Sequence, residues 1–203
     1  MTGAEQPDAC RQSDATGGSD CGDREMTVCY RTPDAALGLR LLPVARRIFS
    51  DTFAKDYDAE PFKAYCDRVY ATSGPMHRDL GDPELAWRVA VIGNDPIGYA
   101  KLTPLRAQVA DAAPGALELQ QIYVLSAWQG KGVAAQLMAW ATDAARERGA
   151  TELYLTVFEH NERAKRFHTR HGFRDVGRCT FTLADRVDDD RVWRKSLQGS
   201  TAP

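Results

Sequence analysis

The sequence predicts a single-domain α/β (α+β) protein, a mixed central sheet flanked by helices, on three observations. Short segments with strand-like alternation are interleaved with longer segments whose apolar residues recur at helical spacing. Clusters of Gly, Pro, Asn and Asp separate them. A strand–helix–strand unit over residues 117–158 occupies the middle of the order, with paired strands expected before and after it. At 203 residues, 43% hydrophobic and 27% charged, the chain can bury one ordinary core without disulfides or metals.

Residues 1–25 are rich in Gly, Ser, Thr, Asp and Gln and almost lack large apolar side chains. Burial there cannot offset ordering entropy, so a disordered tail is expected. The domain is expected over 26–198, with a short C-terminal tail at 199–203. Residues 27–32 (TVCYRT) alternate as a strand. Thr32-Pro33-Asp34 opens a helix, with Thr32 as cap, Pro33 at the first position and Asp34 at the positive end. Leu37, Leu41, Val44, Ala45 and Ile48 carry its stripe toward Phe49. A second helix spans about Glu60 to Tyr70, with Phe62, Tyr65, Cys66 and Val69 on one side. Gly74, Pro75, Gly81 and Pro83 make 73–83 a loop.

A hairpin follows. Ala86 to Ile92 is one strand, Gly93-Asn94-Asp95 the turn, and Ile97 to Leu105 the other. Residues 106–114 connect to a strong strand at Leu117 to Leu125. Residues 130–148 then switch to helical period, with Val133, Leu137, Trp140, Ala141 and Ala144 on one stripe. Arg146, Arg148 and Gly149 suit the helix end. Leu153 to Phe158 is a strand and Asn161 to His171 a short helix stopped by Gly172. Phe173 to Leu183 and Asp190 to Leu197 read as a closing antiparallel pair.

The net charge is -2, so a polyanion-binding surface, and with it nucleic acid as a bulk partner, is not expected. Five scattered cysteines, with no C-x-x-C pair, argue against a disulfide framework or zinc knuckle and fit a reducing compartment. No apolar run approaches the roughly 18 residues of a membrane helix, and the N-terminus lacks the apolar core of a signal peptide. A cytoplasmic protein without a membrane partner, a monomer or a homodimer, is the expectation.

The segment that carries chemistry is Gln129-Gly130-Lys131-Gly132-Val133-Ala134, between a strand and a helix. A helix start offers unpaired N–H groups and a positive dipole, and glycines let that backbone approach an anion without Cβ obstruction. The segment therefore reads either as a diphosphate-binding turn or as a tight connection with no ligand. Val133 offers no magnesium-binding hydroxyl and the G-x-G-x-x-G fingerprint is absent, so neither a Walker A loop nor a dinucleotide turn fits.

Over residues 117–183 the chain resembles the central half of the GNAT (GCN5-related) N-acetyltransferase superfamily. Gln129-x-x-Gly132-x-Ala134 matches that family's Q/R-x-x-G-x-G/A pattern, after a strand ending Ile122-Tyr123-Val124. Asn161, Ala164 and Phe167 match its N-x-x-A-x-x-F segment, and Gly172-Phe173 its G-F ending. The resemblance implies acetyl-CoA as co-substrate and direct acetyl transfer to a primary amine. It also implies that the backbone of Ile122, Tyr123 and Val124 pairs with the pantetheine arm and that Gln129 to Ala134 hold the pyrophosphate. Asn161, Ala164 and Phe167 would flank the CoA arm, with Phe167 equally at home in the core. The N–H of Val124 is the candidate oxyanion donor.

Glu118, early on the same strand, is the candidate base, the alternative being a solvated strand-edge carboxylate. Strand alternation places Glu118, Gln120, Ile122 and Val124 on one face and Leu119, Gln121 and Tyr123 on the other. His168 stands where many relatives carry a Tyr acid; it is either an imidazolium acid or a polar helix residue. His168, His171 and Glu162 do not form H-E-x-x-H, and no metal is expected. Phe49, Thr52, Phe53 and Tyr57 with Asp51, Asp56, Asp58 and Glu60 make an aromatic, acidic stretch suited to a cationic amine, or an ordinary solvated helix end. The run FSDTFAKDY resembles the matching part of polyamine-type acetyltransferases. Three functions stay open: a small-molecule amine acetyltransferase, a protein N-terminal or lysine acetyltransferase, and a non-catalytic acyl-CoA-binding module.

Overall fold

The computed structural model describes residues 27–183 and 186–198. The tails expected at 1–25 and 199–203 lie outside the described residues. Strands β1 (Val28–Arg31), β2 (Ala86–Ile92), β3 (Asp95–Pro104), β4 (Leu117–Val124), β5 (Glu152–Phe158), β6 (Arg174–Leu183) and β7 (Arg186–Ser196) form one sheet, ordered β1-β2-β3-β4-β5-β7-β6. All neighbours are antiparallel except β4 and β5, the parallel pair required by the central strand–helix–strand unit.

Helices cover both faces. α1 (Ala35–Phe53) is capped two residues later than expected, because the Asp34 side chain, not Thr32, accepts from the N–H of Leu37 at 2.8 Å. α2 (Ala59–Val69) follows. The expected loop at 73–83 instead contains α3 (Pro75–Leu80), where Gly74 caps and Pro75 takes the first position that suits its fixed φ. α1 and α2 pack Leu41, Ala45, Phe49 and Phe62 onto Val89, Val91 and Tyr99. α4 (Val133–Glu147) lies on the other face. It buries Leu137, Met138, Ala141 and Ala145 against Ala100, Leu102, Leu119 and Leu153, and Ala164 and Phe167 of α5 (Glu162–Arg170) pack on this cluster. Replacing fully buried Leu137 with Ala removes contacts worth roughly 2–5 kcal/mol. Among the described residues no helix is long and apolar enough to cross a membrane.

Two features of β4 position the site. Its pairing with β5 is confined to Leu117↔Leu153 and Glu118↔Tyr154. Beyond Glu118 the strands diverge and leave one edge of β4 open. The register with β3 also jumps from Leu102↔Leu119 to Lys101↔Gln121, so Gln120 is an extra, bulged residue. The bulge overturns the simple alternation expected from sequence. Glu118, Gln121 and Tyr123 lie opposite Thr103, Lys101 and Tyr99, on the face covered by α1, whereas Leu119, Ile122 and Val124 face α4.

Candidate active site

A cavity of about 950 Å³ runs through the gap between β4 and β5, from the mouth of α4 to the underside of α1 and α2. At the first end, Gly130 (φ 77°) and Gly132 (φ 82°) both occupy the left-handed region that favours glycine. Gly132 is the N-cap of α4 and makes no side-chain cap; the first helical bond runs from the Gln136 N–H to the Gly132 carbonyl at 3.1 Å. Among the described residues nothing caps the N–H groups of Val133, Ala134 and Ala135, and a Cβ built on Gly130 or Gly132 meets no protein atom within 4 Å. Gly130, Gly132, Ala134 and Ala135 line the cavity, while Val133 is turned into the core. An uncapped helix mouth opening on free space is what a pyrophosphate requires.

Gln129 braces this mouth. Its Nε2 donates to the Val124 carbonyl at 3.1 Å, and its Oε1 accepts from Arg163 on α5. Lys131 lies over the Trp128 ring, 4.8 Å from its centroid. Arg163 and Arg170 line the same end of the cavity, so positive charge surrounds the site proposed for phosphates.

The open edge of β4 is defined by its hydrogen bonds. The Leu125 N–H is taken by the Ile97 carbonyl at 2.9 Å, which makes Leu125 and, two residues back, Tyr123 the residues bonded to β3. The N–H and C=O of Ile122 and Val124 therefore point into the gap. Tyr123 corrects the expectation: its backbone is spent on Tyr99, and it offers the cavity its ring instead. Asn161, Ala164 and Phe167 all line the cavity. The Asn161 side chain caps α5 by accepting from the Ala164 N–H at 3.1 Å, and Phe167 is half-buried between its cavity face and the core.

The two expected acid–base residues are placed less simply. Glu118 is buried at 4% exposure on the cavity wall, and its Oε2 accepts from the N–H groups of Arg106 (2.9 Å) and Ala107 (3.1 Å), tying down the β3–β4 connection. It is not the solvated carboxylate that sequence left as the alternative. His168 is 5% exposed among Phe167, Phe173 and His171, with no partner for Nδ1 among the described residues. Burial, and secondarily the charge of His171, pushes its pKa down to about 4. That favours the neutral imidazole near neutral pH, against the imidazolium acid that was one of the two roles left open by the sequence; its burial equally sets aside the other, an ordinary polar helix residue.

The other end of the cavity is lined by Phe49, Phe53, Tyr57, Tyr65, Phe158 and Phe181. Here the β6–β7 hairpin is latched to the end of α1. Tyr57 donates from its hydroxyl to Asp188, and Arg186 donates to the Asp56 carbonyl and, at 2.7 Å, to Asp188. The Arg186 guanidinium also lies over the Tyr57 ring, 4.8 Å from its centroid. Buried Lys101 pairs with Asp79 on the same wall, burial holding its pKa down. Asp190, opposite Phe158 where β5 has left β4, was not among the residues singled out from sequence. Burial raises its carboxyl to about 6, helped by the charges of Asp188 and Asp189. The available signal was Asp188-Asp189-Asp190 inside a strand, a residue type that strands disfavour.

An open strand edge for an amide chain, an uncapped glycine mouth for phosphates, and a covered, ring-lined pocket beyond them define an acyl-CoA-dependent N-acyltransferase. The chain belongs to the acetyltransferase (GNAT) family, which matches residues 42–173, and it is an acetyl-CoA-dependent acetyltransferase. It is 28% identical over 156 residues to an uncharacterized N-acetyltransferase from the pepI 3′ region of Lactobacillus delbrueckii subsp. lactis, covering 77% of this chain and 90% of that one. It is 31% identical over 121 residues to a phosphinothricin N-acetyltransferase of Streptomyces coelicolor, covering 60% and 67%. Its fold is similar to that of the PaiA N-acetyltransferase of Thermoplasma acidophilum, crystallised with coenzyme A, with a TM-score of 0.67 at 20% identity over 84% of this chain and 99% of that one.

Proposed function

We propose that this enzyme acetylates the primary amine of a small molecule. The latch between Tyr57, Arg186 and Asp188 carries this reading. It ties the β6–β7 hairpin to α1 across the acceptor end, and the Tyr65–Phe181 contact, 6.5 Å between centroids, adds a second tie. A peptide acceptor needs a continuous groove there; a tied, ring-lined pocket suits a compact molecule. One relative is, by its name, an N-acetyltransferase of phosphinothricin.

The roles follow from the geometry. Gly130, Gly132 and Ala134, with the α4 mouth, would hold the pyrophosphate, and Gln129 and Lys131 would shape its rim. Ile122 would bond the pantetheine amides through its N–H and C=O on the open edge of β4, with Val124 beside it contributing its N–H alone, since its carbonyl already accepts from Gln129. Asn161, Ala164 and Phe167 would wall the arm from the α5 side. Bound acetyl-CoA supplies the reactive thioester. The Val124 N–H faces the gap and would steady the developing oxyanion. Glu118 would hold the β3–β4 connection that closes the wall.

The test is thiol release from acetyl-CoA with a panel of small primary amines and a panel of short peptides with free N-termini or lysines. Turnover confined to small amines is expected. Turnover confined to peptides would overturn the reading, and tight CoA binding with no release by any amine would return the chain to the acyl-CoA-binding module that sequence left open.

A further inference from the structure

We propose that Asp190 receives the ammonium of the acceptor and takes its proton, and that the acceptor carries a single positive charge on an apolar, ring-bearing body; this rests on the small-molecule reading above. Four carboxylates line the cavity: Asp51, Asp79, Glu118 and Asp190. Asp51 is exposed beside Arg47 at 3.8 Å, Asp79 is paired with Lys101, and an oxygen of Glu118 is held by two backbone N–H groups. Among the described residues the Asp190 side chain alone of the four carboxylates makes no hydrogen bond or ion pair, although the residue is half-buried. The arginines nearest it in sequence are spent elsewhere, Arg186 on Asp188 and Arg191 on Asp175.

The groups facing Asp190 are anionic or neutral. Asp188 and Asp189 share its strand, Cys179 is its register partner on β6, and Tyr57 and Tyr123 line the same cavity within its electrostatic reach. Lys101 and Arg106 are the cations of the acceptor wall; the first is neutralised by Asp79 and the second is exposed at the rim. A half-buried carboxylate without a counter-charge is completed by one cation. The same carboxyl, raised to about 6, is ionised near neutral pH yet basic enough to accept a proton.

One unspent negative charge fits one ammonium; a second ammonium would enter a pocket with no partner left for it. The six rings of Phe49, Phe53, Tyr57, Tyr65, Phe158 and Phe181 offer apolar faces for the rest of the acceptor. In the step, the ammonium gives one proton to Asp190 and becomes a free amine. Its lone pair forms the C–N bond at the acetyl carbonyl as the C–S bond breaks. The second proton lost from nitrogen ends on the departing thiolate, and Asp190 returns the first to water.

The experiment measures kcat/KM against pH for phenethylamine, spermidine and phosphinothricin with the wild type, Asp190→Asn and Glu118→Gln, alongside calorimetric binding of acetyl-CoA and of phenethylamine. Phenethylamine is expected to be preferred, with an acid limb near pH 6. D190N should lower its kcat/KM at least 100-fold, abolish that limb, weaken phenethylamine binding and leave the acetyl-CoA Kd unchanged; E118Q should keep the limb. A limb retained in D190N, or lost in E118Q instead, overturns the role of Asp190. Preference for spermidine or phosphinothricin overturns the acceptor class. If no small amine releases thiol while peptides do, the small-molecule reading falls and the proposal with it. Because Asn is isosteric with Asp, unfolding of each variant is followed by thermal melt; a D190N that melts with the wild type and binds acetyl-CoA normally ties its loss to the acceptor step.

Discussion

The two ends of the cleft are built by opposite means. The donor end is made of backbone drawn from a continuous stretch, Ile122 to Ala134, with positive charge from α5 around it. Its chemistry depends on which amides point outward and on two glycines at positive φ. The acceptor end is made of side chains from Phe49, Tyr65, Phe158, Phe181 and Asp190, brought together only by the folded sheet and the α1–α2 cover. A universal ligand part can be gripped through backbone, which every sequence possesses. A particular amine has to be recognised by side chains, which is where relatives of one fold can differ.

That contrast can be broken by substitution. Gly132→Val should have the largest effect. It places a branched side chain in the left-handed region and in the space before the α4 mouth. Acetyl-CoA affinity should fall at least about 100-fold, roughly 3 kcal/mol, with amine binding measured separately little changed. Equal loss at both ends would show that the ends are not independent.

Next comes His168 on α5. Its ordinary pKa is 6.5 and its folded value about 4. Between these values the unfolded chain holds a proton that the native chain refuses. Stability is thus present above about pH 6.5 and lost as pH falls toward 4, by roughly 3 kcal/mol. Urea unfolding of the wild type and His168→Phe across that window should show the slope in the first and its absence in the second. H168F should also keep the pH–rate profile between 6 and 9; a lost alkaline limb would restore His168 as an acid.

The smallest effect should come from Tyr57→Phe, which removes the hydroxyl donated to Asp188 and leaves the ring in place. Loss of a hydrogen bond to a charged group costs about 1.5 kcal/mol, so the acceptor KM should rise about tenfold while the acetyl-CoA Kd stays put. A change in the acetyl-CoA Kd instead would mean that the latch also braces the donor end.

Legibility in the sequence followed the same division. The strands themselves, the hairpin at Gly93-Asn94-Asp95, the central strand–helix–strand unit and the glycine turn were readable because each is written in neighbouring residues: alternation, helical spacing, and Gly130 and Gly132 at a period change. Asp190 was not readable, since nothing local says that β7 will lie beside β5 with its third aspartate facing the gap. The role of His168 stayed open in the sequence for the same reason. Its side chain has the right chemistry, and only its burial among Phe167, Phe173 and His171 removes its charge.

By itself, then, the sequence determined most of the elements, α3 excepted, and the glycine turn at the start of α4, because backbone geometry there is dictated by local residue types. Only the tertiary structure decided the bulge at Gln120, the parting of β4 from β5 after Glu118, and the side chains gathered at the acceptor end. Those depend on pairing between strands far apart in the chain, where register and burial, rather than any local pattern, set which face a residue presents.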